Sequence, residues 1–200
     1  MERKRSFIQL KKEMKYDEFV SFCKKITEQY ANSEPNFARS YFVEKYNISK
    51  RCFYEIIRFT IETALVEEKI VFKAMNKAET NSESHSKGSG GRCKANYEKM
   101  YTHMCQYIAM LATPKEIKLA AEEYAKNPNI SKKDIATKYG WNRKTFEIIL
   151  VRAIEEKIVE DRIVDAMEKR SVENAVLEQK ENVKDYFKKL KKIISKQIDA

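Results

Sequence analysis

One stretch of this chain is written twice, and that duplication limits the fold more than any other feature. Residues 37–56 (FARSYFVEKYNISKRCFYEI) and 130–149 (ISKKDIATKYGWNRKTFEII) lie over one another without a gap, 93 positions apart. Between Pro35 and Val71 the 37 aligned positions hold twelve identities, among them Lys45/Lys138, Tyr46/Tyr139, Phe53/Phe146, Ile56/Ile149, Val66/Val159 and Glu67/Glu160. A repeat of this length points to one supersecondary unit built twice. Upstream, one extra residue in the first copy sets Glu28, Tyr30 and Ala31 opposite Glu122, Tyr124 and Ala125. Each unit therefore begins with a helix before the shared stretch and runs on past it.

The secondary structure of both copies is expected to be all-α. Three prolines and four glycines in 200 residues, with abundant Lys, Glu, Ile and Ala, leave few helix breakers, and strand alternation is absent. In the first copy Phe19, Val20, Phe22, Cys23, Ile26 and Tyr30 recur at three- and four-residue steps from Tyr16 onward, as one face of a helix does. Asn32 or Ser33 can cap a following helix with Pro35 in its first turn. Past the repeat, Ile149, Ala153, Ile154, Ile158, Ile163, Val164 and Met167 can pack on the unit's first helix, along one long helix or across a break near EEKIV and EDRIV.

The expected organisation is a first unit at 1–76, a linker at 77–95, a second unit at 96–170 and a basic C-terminal helix at 171–200. The linker is small, polar and rich in glycine (Gly88, Gly90, Gly91), too poor in apolar surface to order itself and flexible enough to vary the spacing of the units. Tyr97, Met100, Tyr101, Met104, Ile108 and Leu111 form a Met/Tyr stripe suited to a core or a dimer seam. Val176, Val183, Tyr186, Leu190 and Ile193 fit a coiled coil joining two chains as a homodimer, or a helix packed back on the second unit. The first fifteen residues are strongly basic and read as a frayed terminus or an arm able to follow phosphates.

At the centre of each copy the chain must reverse within three or four residues, which usually requires a left-handed backbone. Gly140 meets the demand in the second copy, and Asn47, tolerant of that conformation, meets it in the first. With Ile135, Ala136, Gly140, Trp141, Phe146 and Ile149, the second copy resembles the helix-turn-helix family of DNA-binding domains. The first copy resembles it through Phe42, Val43, Asn47, Ile48, Phe53 and Ile56, with Val43 where the family prefers Ala and Asn47 where it prefers Gly.

The resemblance implies two three- or four-helix units whose second shared helix enters a major groove. It assigns DNA contact to Asn142, Arg143, Lys144 and Glu147 in the second unit, and to Ser49, Lys50, Arg51, Tyr54 and Glu55 in the first. Arg and Lys can hydrogen-bond guanine, Asn can pair with adenine, and Ser or Tyr can hold phosphate. Lys132 and Lys133, with Arg39 and Ser40 at the matching places, fall at the start of the preceding helix as phosphate contacts.

Charge points the same way. Forty Lys and Arg against thirty Asp and Glu give a net +10, which attracts a polyanion. The expected partner is double-stranded DNA, and the expected role is a transcriptional regulator reading paired half-sites. The next role is an accessory factor in plasmid or phage replication, partition or conjugative transfer. A helical protein-interaction module without DNA binding is the rival of another class. No phosphate-binding glycine loop or metal-spaced carboxylate cluster points to an enzyme, and no cofactor or metal is called for. Cys23, Cys52, Cys93 and Cys105 show no C-x-x-C pair, and with His85 and His103 they lack zinc-type spacing. Reduced thiols, no apolar run of membrane length and no secretion signal make the cytoplasm the expected location.

Overall fold

The computed structural model describes residues 4–34, 37–83 and 90–171, and the protein is all-α. In chain order the helices are α1 (Phe7–Glu13), α2 (Tyr16–Asn32), α3 (Arg39–Lys45), α4 (Lys50–Glu62), α5 (Glu68–Glu83), α6 (Gly90–Leu111), α7 (Pro114–Lys126), α8 (Lys132–Lys138) and α9 (Arg143–Glu155). Residues 161–171 are also helical and are called α10. Among the described residues β structure is limited to one isolated bridge, Arg5 to Ile48. No helix among them is long and apolar enough to cross a membrane.

The chain divides into two compact units, Met1–Leu111 and Ala112–Ala200. This boundary differs from the expected one, because α6 belongs to the first unit. Its Met/Tyr stripe is core: Tyr97, Met100 and Met104 are buried with residues of α2, α4 and α5, and Tyr101 and Ile108 pack against them. Leu111 is the exception and faces solvent. Hydrogen bonds also join the Tyr101 hydroxyl to Glu68 and His103 Nδ1 to Glu62 Oε1, the latter at 3.1 Å. Sequence showed that the stripe was buried, not which helices would bury it. The expected linker, 77–95, consequently falls inside unit 1 instead of joining the units, and 77–83 and 90–95 are helical. Residues 84–89, with the basic segment 172–200, lie outside the described residues.

The repeat reappears in the backbone at the same 93-residue offset. Helices α3 and α8 have matching bounds, as do α4 and α9, and α5 and α10 start at equivalent positions. Asn47 (φ 48°) and Gly140 (φ 73°) are both left-handed. After each of them the chain closes back on the preceding helix, Ile48 N donating to Val43 O at 3.1 Å and Trp141 N to Ala136 O at 2.7 Å. Ser49 and Asn142 then cap the next helix.

A second left-handed pair, Ala64 (φ 54°) and Lys157 (φ 52°), ends α4 and α9. Each donates its amide to the carbonyl three residues back, and the next residue donates five back. Of the two readings, one long helix or a break, the break holds: two helices with a turn between. Neither residue type announces such a turn, because an L side chain pays about 1–2 kcal/mol there. Lys157→Gly should consequently raise the unfolding free energy of the second unit by about 0.5–1 kcal/mol, measured by chemical denaturation; a loss of stability would show that the Lys157 side chain matters more than its backbone.

Two further expectations fail locally. Helix α3 starts at Arg39 after Ala38, which offers no side-chain cap, while Ser33 ends α2 and bonds back to the Tyr30 carbonyl. Phe37 consequently precedes the helix and is exposed. Ile154, expected in the core, is also exposed, whereas Ile149, Ala153, Ile163 and Met167 are buried as expected.

The cores differ in chemistry. Unit 1 interlocks Phe7, Phe19 and Phe59 in one cluster and Tyr30, Phe42 and Phe53 in another. It contains all four cysteine positions. Cys23, Cys52 and Cys105 are buried thiols that form no disulfide. Burial first, then the neighbouring Cys52, pushes the Cys23 thiol up to about 12; burial also raises Cys52, to about 11, against the lowering influence of Arg5. Unit 2 instead holds the single tryptophan, Trp141, stacked between Tyr139 and Phe146.

Candidate nucleic-acid interface

The first turn of a helix presents unpaired N–H groups and the positive end of the helix dipole, so carboxylates are favoured there and cations are not. Several helices obey this rule: α2 opens with Asp17 and Glu18, α5 with Glu68, α7 with Glu116 and α10 with Asp161. The paired helices break it. Helix α3 opens on Arg39, α4 on Lys50 and Arg51, α8 on Lys132 and Lys133, and α9 on Arg143 and Lys144. Only α8 tempers its start with an acid, Asp134, which completes a capping box with Ser131. The same local rule is thus set aside at the same places in both units.

The caps are less available than expected. Ser49 Oγ accepts the Cys52 amide at 3.0 Å, and Asn142 Oδ1 accepts the Thr145 amide at 2.8 Å. These oxygens fix where each helix begins. The adjacent cations point outward: Lys50, Arg51, Arg39, Lys133 and Arg143 are exposed, while Lys132 and Lys144 are partly so. Among the described residues Lys50, Arg51 and Arg39 make no ion pair.

Glu147 plays a different part from the reading role expected of it. Its Oε1 lies 3.2 Å from Arg143 Nε and 3.8 Å from Lys132 Nζ, so one carboxylate holds a cation from each helix of the pair. Exposed pairs of this kind are worth less than about 1 kcal/mol and can yield to a phosphate oxygen. Tyr54 and Glu55, one turn along α4, are half-buried. Ser40 is exposed beside Arg39.

Lys4 and Arg5 of the basic N-terminus are held against the turn, which corrects the frayed reading for those residues. Arg5 N donates to Asn47 O at 3.1 Å, Ser49 N donates to Arg5 O at 3.0 Å, and the Arg5 guanidinium donates to Tyr46 O at 2.9 Å. Lys4 pairs with Glu44. The arm is thereby strapped across the turn of unit 1, beside the start of α4.

Sequence reading missed the residues that lock each helix pair in place. In unit 1 the Lys77 ammonium, 7% exposed, donates to Ser33 O at 3.0 Å and Glu34 O at 2.8 Å and lies 5.2 Å from the Tyr30 ring centre. In unit 2 Arg170, 93 positions on and 6% exposed, donates to the carbonyls of Tyr124 and Ile130, and to that of Pro128 at 3.3 Å, with its guanidinium 3.9 Å above Tyr124. Each cation gathers carbonyls from the connection between the unit's first helix and the paired helices. The signal was present as a basic residue at one repeat position, but cations are seldom fully buried and it passed as surface. Burial lowers the Lys77 pKa from its ordinary value. The turn is braced in parallel, by the Tyr46 hydroxyl on Gln29 and by Tyr139 and Lys138 on Glu123. Lys138 holds the Glu123 carboxyl below the usual range.

Among the described residues no three His, Cys, Asp or Glu side chains gather as a metal site would require. No protein-family model, curated protein or solved structure matches the chain.

Proposed function

We propose that this chain is a sequence-specific double-stranded DNA-binding protein carrying two helix-turn-helix units, with regulation of transcription as its first role. The observation that carries the reading is the cationic start of α3, α4, α8 and α9, placed where the helix dipole opposes it and repeated in both units. A departure from local preference with no structural gain marks a functional surface. Unpaired amides, aligned dipoles and adjacent Lys and Arg together make an anion site of the kind that phosphate groups occupy.

In this reading α4 and α9 enter major grooves, with Lys50, Arg51, Arg143 and Lys144 foremost and Arg39, Lys132 and Lys133 on phosphates. Ser49 and Asn142 set the helix starts. Because the foremost residues differ between units, the half-sites should be related but unlike, and linkage makes the second binding event intramolecular. Selection of bound fragments from a random DNA library, followed by anisotropy titration across salt, is the test. The expected result is two related half-sites and an affinity that falls linearly on logarithmic axes as salt rises. Recovery of no common sequence together with salt-insensitive binding would favour the protein-interaction module instead.

A further inference from the structure

We propose that Trp141 is a further DNA contact of unit 2, its indole N–H donating to a backbone phosphate oxygen beside the start of α9; this rests on the DNA reading above and adds a neutral donor to it. At this position the two copies differ in kind. In unit 1 the residue after the left-handed turn is Ile48, fully buried and bridged to Arg5 of the N-terminal strap. Its counterpart 93 positions on is Trp141, which is only half-buried, and among the described residues no strap bridges to the turn of unit 2. A hidden aliphatic side chain in one unit is matched by an uncovered indole in the other.

The indole is held in place. Tyr139 lies 5.1 Å from it, centre to centre, at 16°, and Phe146 lies 6.4 Å away at 15°, so the three rings are nearly parallel. Both neighbours are themselves fixed: Phe146 is buried against Tyr124, and the Tyr139 hydroxyl donates to Glu123 at 3.3 Å. A ring anchored in this way loses little conformational freedom when it binds. A buried tryptophan N–H ordinarily finds a partner. The Trp141 N–H makes no hydrogen bond among the described residues and is open to solvent. Its stacking is already met by protein rings, so it has one directed donor left to offer. Position selects the acceptor. Trp141 directly precedes the Asn142 cap, with Arg143 and Lys144 in the first turn of α9, and on its other side Gly140 opens on empty space, a Cβ there meeting nothing within 4 Å. An anion drawn to that cationic helix start meets the N–H at its edge, and a neutral donor so placed suits a phosphate oxygen.

The chain has a single tryptophan, so nitrogen-15 labelling gives one indole N–H resonance to follow in the full-length protein. The probe is a duplex carrying the selected half-sites, with a scrambled duplex of the same composition beside it. Adding either duplex should move that resonance and slow its exchange with water about tenfold. Trp141→Phe keeps a ring against Tyr139 and removes only the donor. Its affinity by anisotropy should fall about tenfold, and by the same factor on both duplexes, because a phosphate contact carries no sequence information. The logarithmic salt dependence should stay as in the unchanged protein, since an uncharged donor releases no counterion, whereas Lys133→Ala should reduce the slope by about one. Wild-type binding with an unmoved indole resonance, or equal affinity for Trp141→Phe, overturns the Trp141 contact and leaves the DNA reading standing. No binding of either duplex by the wild-type protein at low salt overturns both.

Discussion

Replacing Lys50 and Lys144 together by glutamate is expected to weaken DNA binding about a hundredfold while leaving the free protein at least as stable as before. The two effects have one origin. Both lysines lie in the first turn of a helix, Lys50 directly after the Ser49 cap and Lys144 one place further from the Asn142 cap. A carboxylate there meets the positive end of the dipole and gains about 0.3–1 kcal/mol, where the ammonium loses a similar amount. On DNA the balance reverses, since each foremost cation is worth about 1–3 kcal/mol. Lys50 is a better site for this than Arg51, whose (i, i+4) neighbour is Glu55, and Lys144 than Arg143, whose guanidinium Glu147 already holds at 3.2 Å. A new glutamate at those positions would face a like charge and obscure the stability gain. Anisotropy at fixed salt and denaturant melts of the free protein read the two quantities separately. Undiminished affinity would remove the DNA reading, and lost affinity with lost stability would show only that the helices had been damaged.

The second large effect belongs to Arg170. Arg170→Met keeps the stem that crosses Tyr124 but strands the carbonyls of Tyr124 and Ile130, which the guanidinium now satisfies. Orphaned buried acceptors cost about 1–3 kcal/mol each. Part of that is offset because the buried Arg170 Nε has no partner among the described residues and its desolvation cost disappears with it. A net loss of about 2–4 kcal/mol is expected, which lowers the melting point of a unit this size by roughly 10–20 °C. Differential scanning calorimetry should show one transition displaced and the other fixed. A shift below about 3 °C would mean that Tyr124, Pro128 and Ile130 hold their connection without the cation.

The two variants divide what the sequence disclosed from what it hid. The turns between the paired helices were legible because Asn47 and Gly140 each satisfy a local demand for a left-handed backbone, and local demands are written in residue type. The break after α4 and α9 was left open beside one long helix, because Ala64 and Lys157 adopt a left-handed backbone that neither residue favours. The allegiance of α6 was hidden for another reason. A Met/Tyr stripe records that a face is buried but says nothing of its partners. In the candidate site, the cations are exposed or partly so, while the roles of Ser49, Asn142 and Glu147 as caps and clamp needed distances. Lys77 and Arg170 were the largest omission, since their burial depends on carbonyls some forty residues away in sequence.

The uneven placement of sulfur and indole between the units has a practical consequence. Thiols as reluctant to ionise as Cys23 and Cys52 should react with an alkylating agent only when unit 1 opens, so labelling kinetics become a clock for that unit alone. Fluorescence from Trp141, wedged between Tyr139 and Phe146, reports the other unit and no part of the first. The chain thus carries two intrinsic, spectrally and chemically separate probes. With them the opening of each half, alone or on a ligand, can be followed in the unmodified protein.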